Sequence, residues 1–224
     1  KTSANGVAVD GVTIKDGKLG ATGTATSVAG IPFFSADNSI YTHDVSGTDS
    51  TASFNTAYGL TALDAITTGD NNTVIGYGAA GASTTLQGNV VIGTNAIGTG
   101  TFVGNNNVVI GKLAGEDLTS ADGNIIIGED AGKQQTTADN NVLIGQGAGE
   151  AITTGGDNIF IGTASGDGHD AETNNLAIGK AALGGSIAGG EYNVAIGNAT
   201  LDALTSGDAN TAVGYEAGSG ITTG

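Results

Sequence analysis

From Asn55 to Gly214 short apolar triplets alternate with longer stretches of Gly, Asn, Asp and Thr, and every triplet has Asn before it and Gly after it. The framed phrase occurs ten times, at a spacing of 17 residues that is stretched twice to 18. Its copies start at Asn55, Asn72, Asn89, Asn107, Asn124, Asn141, Asn158, Asn175, Asn193 and Asn210. Three residues are too few for helical periodicity, most are β-branched, and glycines recurring every few positions would cost about 1 kcal/mol each in a helix interior. The phrase is therefore a short strand. A period held this long makes each repeat one supersecondary unit that buries its apolar face by stacking on its neighbours.

Taking the Asn as position 1 of a coil, positions 2 and 4 point to one side of the strand and position 3 to the other. Position 4 is Ile in eight of ten copies, and position 3 is Ala57, Val74, Val91, Val109, Ile126, Leu143, Phe160, Ala177, Ala195 and Ala212. Both sides are apolar, the pattern of a parallel sheet covered on two faces. One cover is the inside of the coil and the other a second copy of the chain; Val109 and Ile126 test whether position 3 is the interchain side. Position 8 is small almost throughout, which suits a tight interior, and Thr recurs at position 13, from Thr67 to Thr222. Gly at position 5 never varies, so that site demands positive φ or close backbone contact.

The expected fold is all-β: a parallel β-solenoid, or β-roll, of about ten 17-residue coils in residues 55–224, elongated and associated with further copies of the chain, which the resemblance given below makes a homotrimer. Residues 1–54 lack the register but hold short alternating runs at Val7–Gly11, Val12–Lys15, Pro32–Phe34 and Ser39–Thr42, giving an N-terminal β-rich connecting or attachment segment.

Composition narrows the function. Gly is 41 of 224 residues with a single Pro, which excludes collagen-like and proline-rich polymers. Absence of Cys excludes disulfides and thiolate metal sites. Six basic against 22 acidic residues, a net charge of −16, leave no basic stripe for nucleic acid. No apolar run is long enough for membrane insertion, and the first residues carry neither signal-peptide character nor an initiator Met, as in a mature or partial segment.

Asn193-Val-Ala-Ile-Gly197 and Asn210-Thr-Ala-Val-Gly-Tyr215 resemble two related repeat families. One is the coil of trimeric autotransporter adhesin heads, a left-handed parallel β-roll assembled as a trimer. The other is the tail-fibre repeat of marine phages and related viruses, which Thr67-Thr-Gly-Asp-Asn-Asn-Thr-Val-Ile-Gly-Tyr77 also resembles. The longer coil favours the fibre type, as does Gly11-Val-Thr-Ile-Lys-Asp-Gly17, which resembles segments preceding such repeats. The resemblance implies a shaft on a virion or cell surface that presents a host-binding tip. Its implied partners are two further copies, other fibre or virion proteins, and a host-surface receptor or glycan. The alternative it implies is a bacterial adhesin head that binds a host ligand along its flank.

Catalytic chemistry has little footing: there are two His, no Cys and no Gly-x-Ser-x-Gly, so neither an enzyme nor a cofactor is expected. One turn departs from the array. Asp167, His169, Asp170 and Glu172 fall within six residues and either ligate a divalent cation or form a solvated acidic turn. The Asn column, Asn72, Asn89, Asn107, Asn124, Asn141, Asn158, Asn175, Asn193 and Asn210, is expected to stack amide on amide as a structural ladder. The Thr row would suit ice only if its hydroxyls formed an unbroken free array, and Asp170 and Ile187 interrupt it.

Overall fold

The computed structural model describes residues 51–223 apart from 99 and 186–188, together with six short strands upstream. Those strands are β1 (Val7–Val9), β2 (Val12–Lys15), β3 (Lys18–Leu19), β4 (Thr26–Val28), β5 (Ile31–Phe33) and β6 (Ile40–Tyr41). β1, β2 and β3 form an antiparallel meander and β4 pairs with β5. Val9 lies opposite Val12 and Lys15 opposite Lys18.

Ten triplets form the strands β7 (Thr56–Tyr58), β8 (Thr73–Ile75), β9 (Val90–Ile92), β10 (Val108–Ile110), β11 (Ile125–Ile127), β12 (Val142–Ile144), β13 (Ile159–Ile161), β14 (Leu176–Ile178), β15 (Val194–Ile196) and β16 (Thr211–Val213). They pair in parallel and in sequence order, with β6 added ahead of β7, as one eleven-stranded sheet. Each residue pairs with the same position of the next coil, for example Val109 with Ile126 and Ile126 with Leu143. The chain is thus a parallel β-solenoid. Its sheet begins one strand earlier than the repeat at residue 55, because Ile40 and Tyr41 pair with Thr56 and Ala57.

Position 3 points inward. Val74, Val91, Val109, Ile126, Leu143, Phe160, Ala177 and Ala195 are fully buried, together with the position-8 alanines from Ala62 to Ala182. Two further interior columns complete the core. Position 9 is Leu63, Ala80, Ile97, Gly115, Gly132, Gly149, Gly166, Leu183 and Leu201, and position 12 includes Ile66, Ser83, Leu118, Gln135, Ile152, His169 and Leu204. The position-3 and position-9 columns trade volume. Where position 3 is Ala57, Ala177 or Ala195, position 9 is Leu; where it grows to Ile126, Leu143 and Phe160, position 9 shrinks to Gly. A Cβ on Gly166 would run into the Phe160 ring, and one on Gly149 would lie 2.8 Å from Leu143 Cδ2. The two columns thus offset one another in most coils, as close packing favours, though not in the last, where Ala212 faces Gly218.

The turn after each strand repeats an alternation of backbone hand. Positions 5, 7 and 9 have positive φ, and so does the residue before each Asn. Even β-branched Thr61 and Ile97 are held there, at φ 58° and 52°. Neighbouring coils fix these conformations through ladder bonds, such as Gly78 N–H to Leu60 C=O at 3.0 Å and Ala80 N–H to Ala96 C=O at 3.0 Å. At position 5 φ lies between 130° and 145°, and the glycines stack so closely that a Cβ on Gly59 would lie 2.5 Å from the carbonyl oxygen of Gly76. Both reasons for an invariant glycine operate together.

Two outcomes follow. Gly128→Ala forces a Cβ into the Gly145 carbonyl at φ 143° and should lower stability by about 3 kcal/mol or more, read as a fall in thermal midpoint, whereas Gly220→Ala, with open space around it, should melt within about 0.5 kcal/mol of the parent. Strands stacked about 4.8 Å apart make the ten-coil array roughly 50 Å long, which small-angle scattering should register as a rod cross-section rather than a sphere.

Candidate functional site

The solenoid offers three kinds of repeated surface, and the side chains on each have a defined task. The Asn column lies inside, with Asn72, Asn89, Asn107, Asn124, Asn141, Asn158, Asn175 and Asn193 buried. From Asn55 to Asn193 each Oδ1 accepts the backbone N–H of the next Asn at 2.8–2.9 Å. Each Nδ2 over the same span also donates across the coil to the position-15 carbonyl, or to position 16 in the two 18-residue coils, at 2.7–3.0 Å. One amide therefore joins successive coils and closes its own. The ladder expected from sequence is present; its second role is an addition.

The Thr column is also structural. Thr67, Thr119, Thr136 and Thr205 donate Oγ1 to the carbonyl of the equivalent residue one coil on, at 2.8–3.0 Å. Hydroxyls so engaged are not a free array. The row is broken at Val103 as well, whose N–H takes the place of a Thr in bonding to Thr119 C=O, because coil 3 carries its extra residue just before this point.

The acidic turn expected as a cation site is taken apart by the fold. His169 occupies position 12 of the interior column, fully buried, with its ring 4.8 Å from that of Phe160 and tilted by 58°. Neither ring nitrogen has a hydrogen-bond partner among the described residues. Asp170 points outward from the Thr column and accepts from Thr153 Oγ1. Both oxygens of Glu172 are engaged by backbone, Oε2 by Asp170 N–H at 2.8 Å and Oε1 by Gly189 N–H at 2.9 Å. Asp167 sits apart at position 10, where burial and the neighbouring Glu150 raise its carboxyl above the usual range. Among the described residues no group of three His, Asp or Glu side chains converges to hold a metal. Alternation of side chains around a tight coil sends neighbours in sequence to opposite sides.

Electrostatics on this turn follow from burial. Desolvation lowers the His169 pKa to about 4, despite the nearby Glu172 carboxylate. Burial pushes Glu172 up, but the two N–H donors and the imidazole outweigh it and hold the carboxyl below its ordinary value. Elsewhere two lysines pair on the surface: Lys112 with Glu129 at 3.0 Å, and Lys133 with Asp130 at 3.1 Å. Exposed pairs of this kind contribute little to stability.

What remains is the outer side of the strands, positions 2 and 4. This is the side the inward turn of position 3 leaves outside, so Val109 and Ile126 are core residues rather than interchain ones. Ile75, Ile125 and Ile159 are 38–40% exposed, and the flanking Val, Leu and Ile of β9 to β15 are half-buried only by their stacked neighbours. Unbroken apolar rows thus run along one flank. The 18-residue coils do not disturb them: β9 pairs with β10, and β14 with β15, in the same register as the rest, so both extra residues are accommodated on the opposite side. The signal for this face was present in the sequence as the Ile column, but which side faced out was not.

Comparison of the chain with protein-family models, with characterised proteins and with solved structures gives no match. Among the described residues no helix is long and apolar enough to cross a membrane.

Replacing Asn141 by Ala removes the bond to Gly155 C=O and strands the Asn158 N–H inside the coil, so unfolding should be easier by about 2–5 kcal/mol. Asn140→Gly, at an exposed left-handed position, should change denaturation by under about 0.5 kcal/mol. Chemical denaturation of the two variants checks both values.

Proposed function

We propose that the chain is a structural shaft of a virion tail fibre or comparable extracellular appendage, built as a homotrimer that carries a host-binding tip and has no catalytic role. The observation that carries this reading is the apolar outer strand face, kept in register over the whole array while both insertions go elsewhere. A solvated face would have no reason to be Val and Ile, whereas a face pressed against two further copies would need both that composition and an uninterrupted register. An interior filled by columns of side chains, with no group of three acids or imidazoles gathered on one spot among the described residues, suits a mechanical element. The acidic surface, net −16, would hold neighbouring shafts apart in solution.

The repeat phrases that resemble marine-phage fibre coils point the same way. Partners on this reading are two identical chains, other fibre or virion proteins at the ends, and a surface receptor or glycan reached by the tip.

Light scattering coupled to size exclusion should give three times the 21.6 kDa chain mass. Ile125→Glu with Ile159→Glu, both on the outer face, should yield single chains that keep their strand signal by circular dichroism. Ile126→Asp, one residue along but inside the coil, should instead abolish the fold, because a buried unpaired charge costs several kcal/mol. A parent chain that runs as a monomer, or an outer-face double variant of unchanged mass, would remove the trimer from this reading.

A further inference from the structure

We propose that the coil carrying His169 is an acid-labile joint in the rod, which opens when the imidazole takes up a proton while the coils on either side stay wound. The joint needs only the solenoid and does not depend on the fibre reading. In the coils below, position 12 is filled by Ile66, Leu118 and Ile152 or by the uncharged Ser83 and Gln135, and above by Leu204. His169 is the one ionisable residue in that column among the described residues. It is fully buried, packed on Phe160, and neither ring nitrogen has a partner among the described residues, so a proton on the ring would meet no acceptor among them.

Other charges on the three coils that meet there do not compensate. Glu150 of the coil below acts on Asp167 instead. Asp170 is bonded to Thr153, and Glu191 of the coil above accepts from Thr173. Lys180 lies exposed on the other side of the strand. Only the Glu172 carboxylate acts on the imidazole, and its oxygens are already engaged by Asp170 and Gly189 N–H groups. Residues 186–188 of the coil above are Ser, Ile and Ala and bring no further charge.

The direction of the pH effect follows from linkage. The folded imidazole pKa, about 4, lies below the unfolded value of 6.5, so the open state binds more protons between those limits. Stability from this site is complete above pH 6.5, falls as pH drops toward 4 and levels off below. Glu172, whose carboxyl is held down in the folded state, loses its contribution on acidification too. Asp167, whose carboxyl is raised, opposes them. Because a solenoid coil is stabilised mainly by its two neighbours, the loss stays local. A rod that is stiff at neutral pH then acquires a flexible point between its first six coils and its last three.

Hydrogen-exchange mass spectrometry at pH 7 and pH 4, corrected for intrinsic rates, tests this. Protection across residues 158–174 should fall roughly 100-fold between the two pH values, against little change over residues 107–140. His169→Ile, a residue type this column already holds, should abolish the fall. So should His169→Gln, which is polar like Gln135 but takes up no proton, and which separates charge from polarity. An unchanged acid response in either folded variant, or a parent chain losing protection evenly along the array, would overturn the proposal.

Discussion

Everything in this fold depends on one side-chain amide used twice. A coil of 17 residues with a three-residue strand cannot hold its own shape, since the backbone entropy of ordering it exceeds what a few apolar side chains return. The Asn that opens each coil ties its end to its start through Nδ2, and ties the coil to the next through Oδ1. Asp would lack the donor for the first bond, and Ser or Thr the reach to make both. Once these bonds are set the position-5 glycines of successive coils come into backbone contact, and the left-handed Ile97 is held by its N–H bond to Ala114 C=O of the next coil.

Within that frame packing is solved locally. The exchange of volume between position 3 and position 9, Ala with Leu or Phe with Gly, lets most coils keep the same girth with different residues. Some polar residues of the interior are answered by a backbone carbonyl. Thr200 Oγ1 reaches Gly214 C=O at 2.6 Å, and Gln135 Nε2 reaches Ala138 C=O at 2.6 Å. Ser83 Oγ and both His169 ring nitrogens have no partner among the described residues, and of the two only His169 can take up a proton.

Much of this was legible in the sequence because the period is rigid. The strands, their parallel order, the invariant glycines and the amide ladder all repeat visibly. What was hidden shares a cause: a single copy of a tight turn does not reveal which way its side chains point. The two sides of the strand looked alike because both are apolar, so Val109 and Ile126 stood as candidates for the outer face although they are core. Positions 9 and 12 showed no consensus, since one varies to offset position 3 and the other admits Ser83, Gln135 and His169. Asp167, His169, Asp170 and Glu172 looked like a cluster because they are close along the chain. The carbonyl that closes each coil belongs to residues as different as Leu86, Ala138 and Glu172, so no side chain could have marked it.

The regular stacking of register-matched coils has a consequence of scale. Each strand pairs with the same position of the next, so every added repeat advances the molecule by one fixed step of about 4.8 Å. Reach is therefore digital: a gene that gains or loses one 51-nucleotide unit lengthens or shortens the object by a single tick, leaving its cross-section and its flanking rows unaltered. Such a molecule works as a ruler whose graduations are written in its own repeat count.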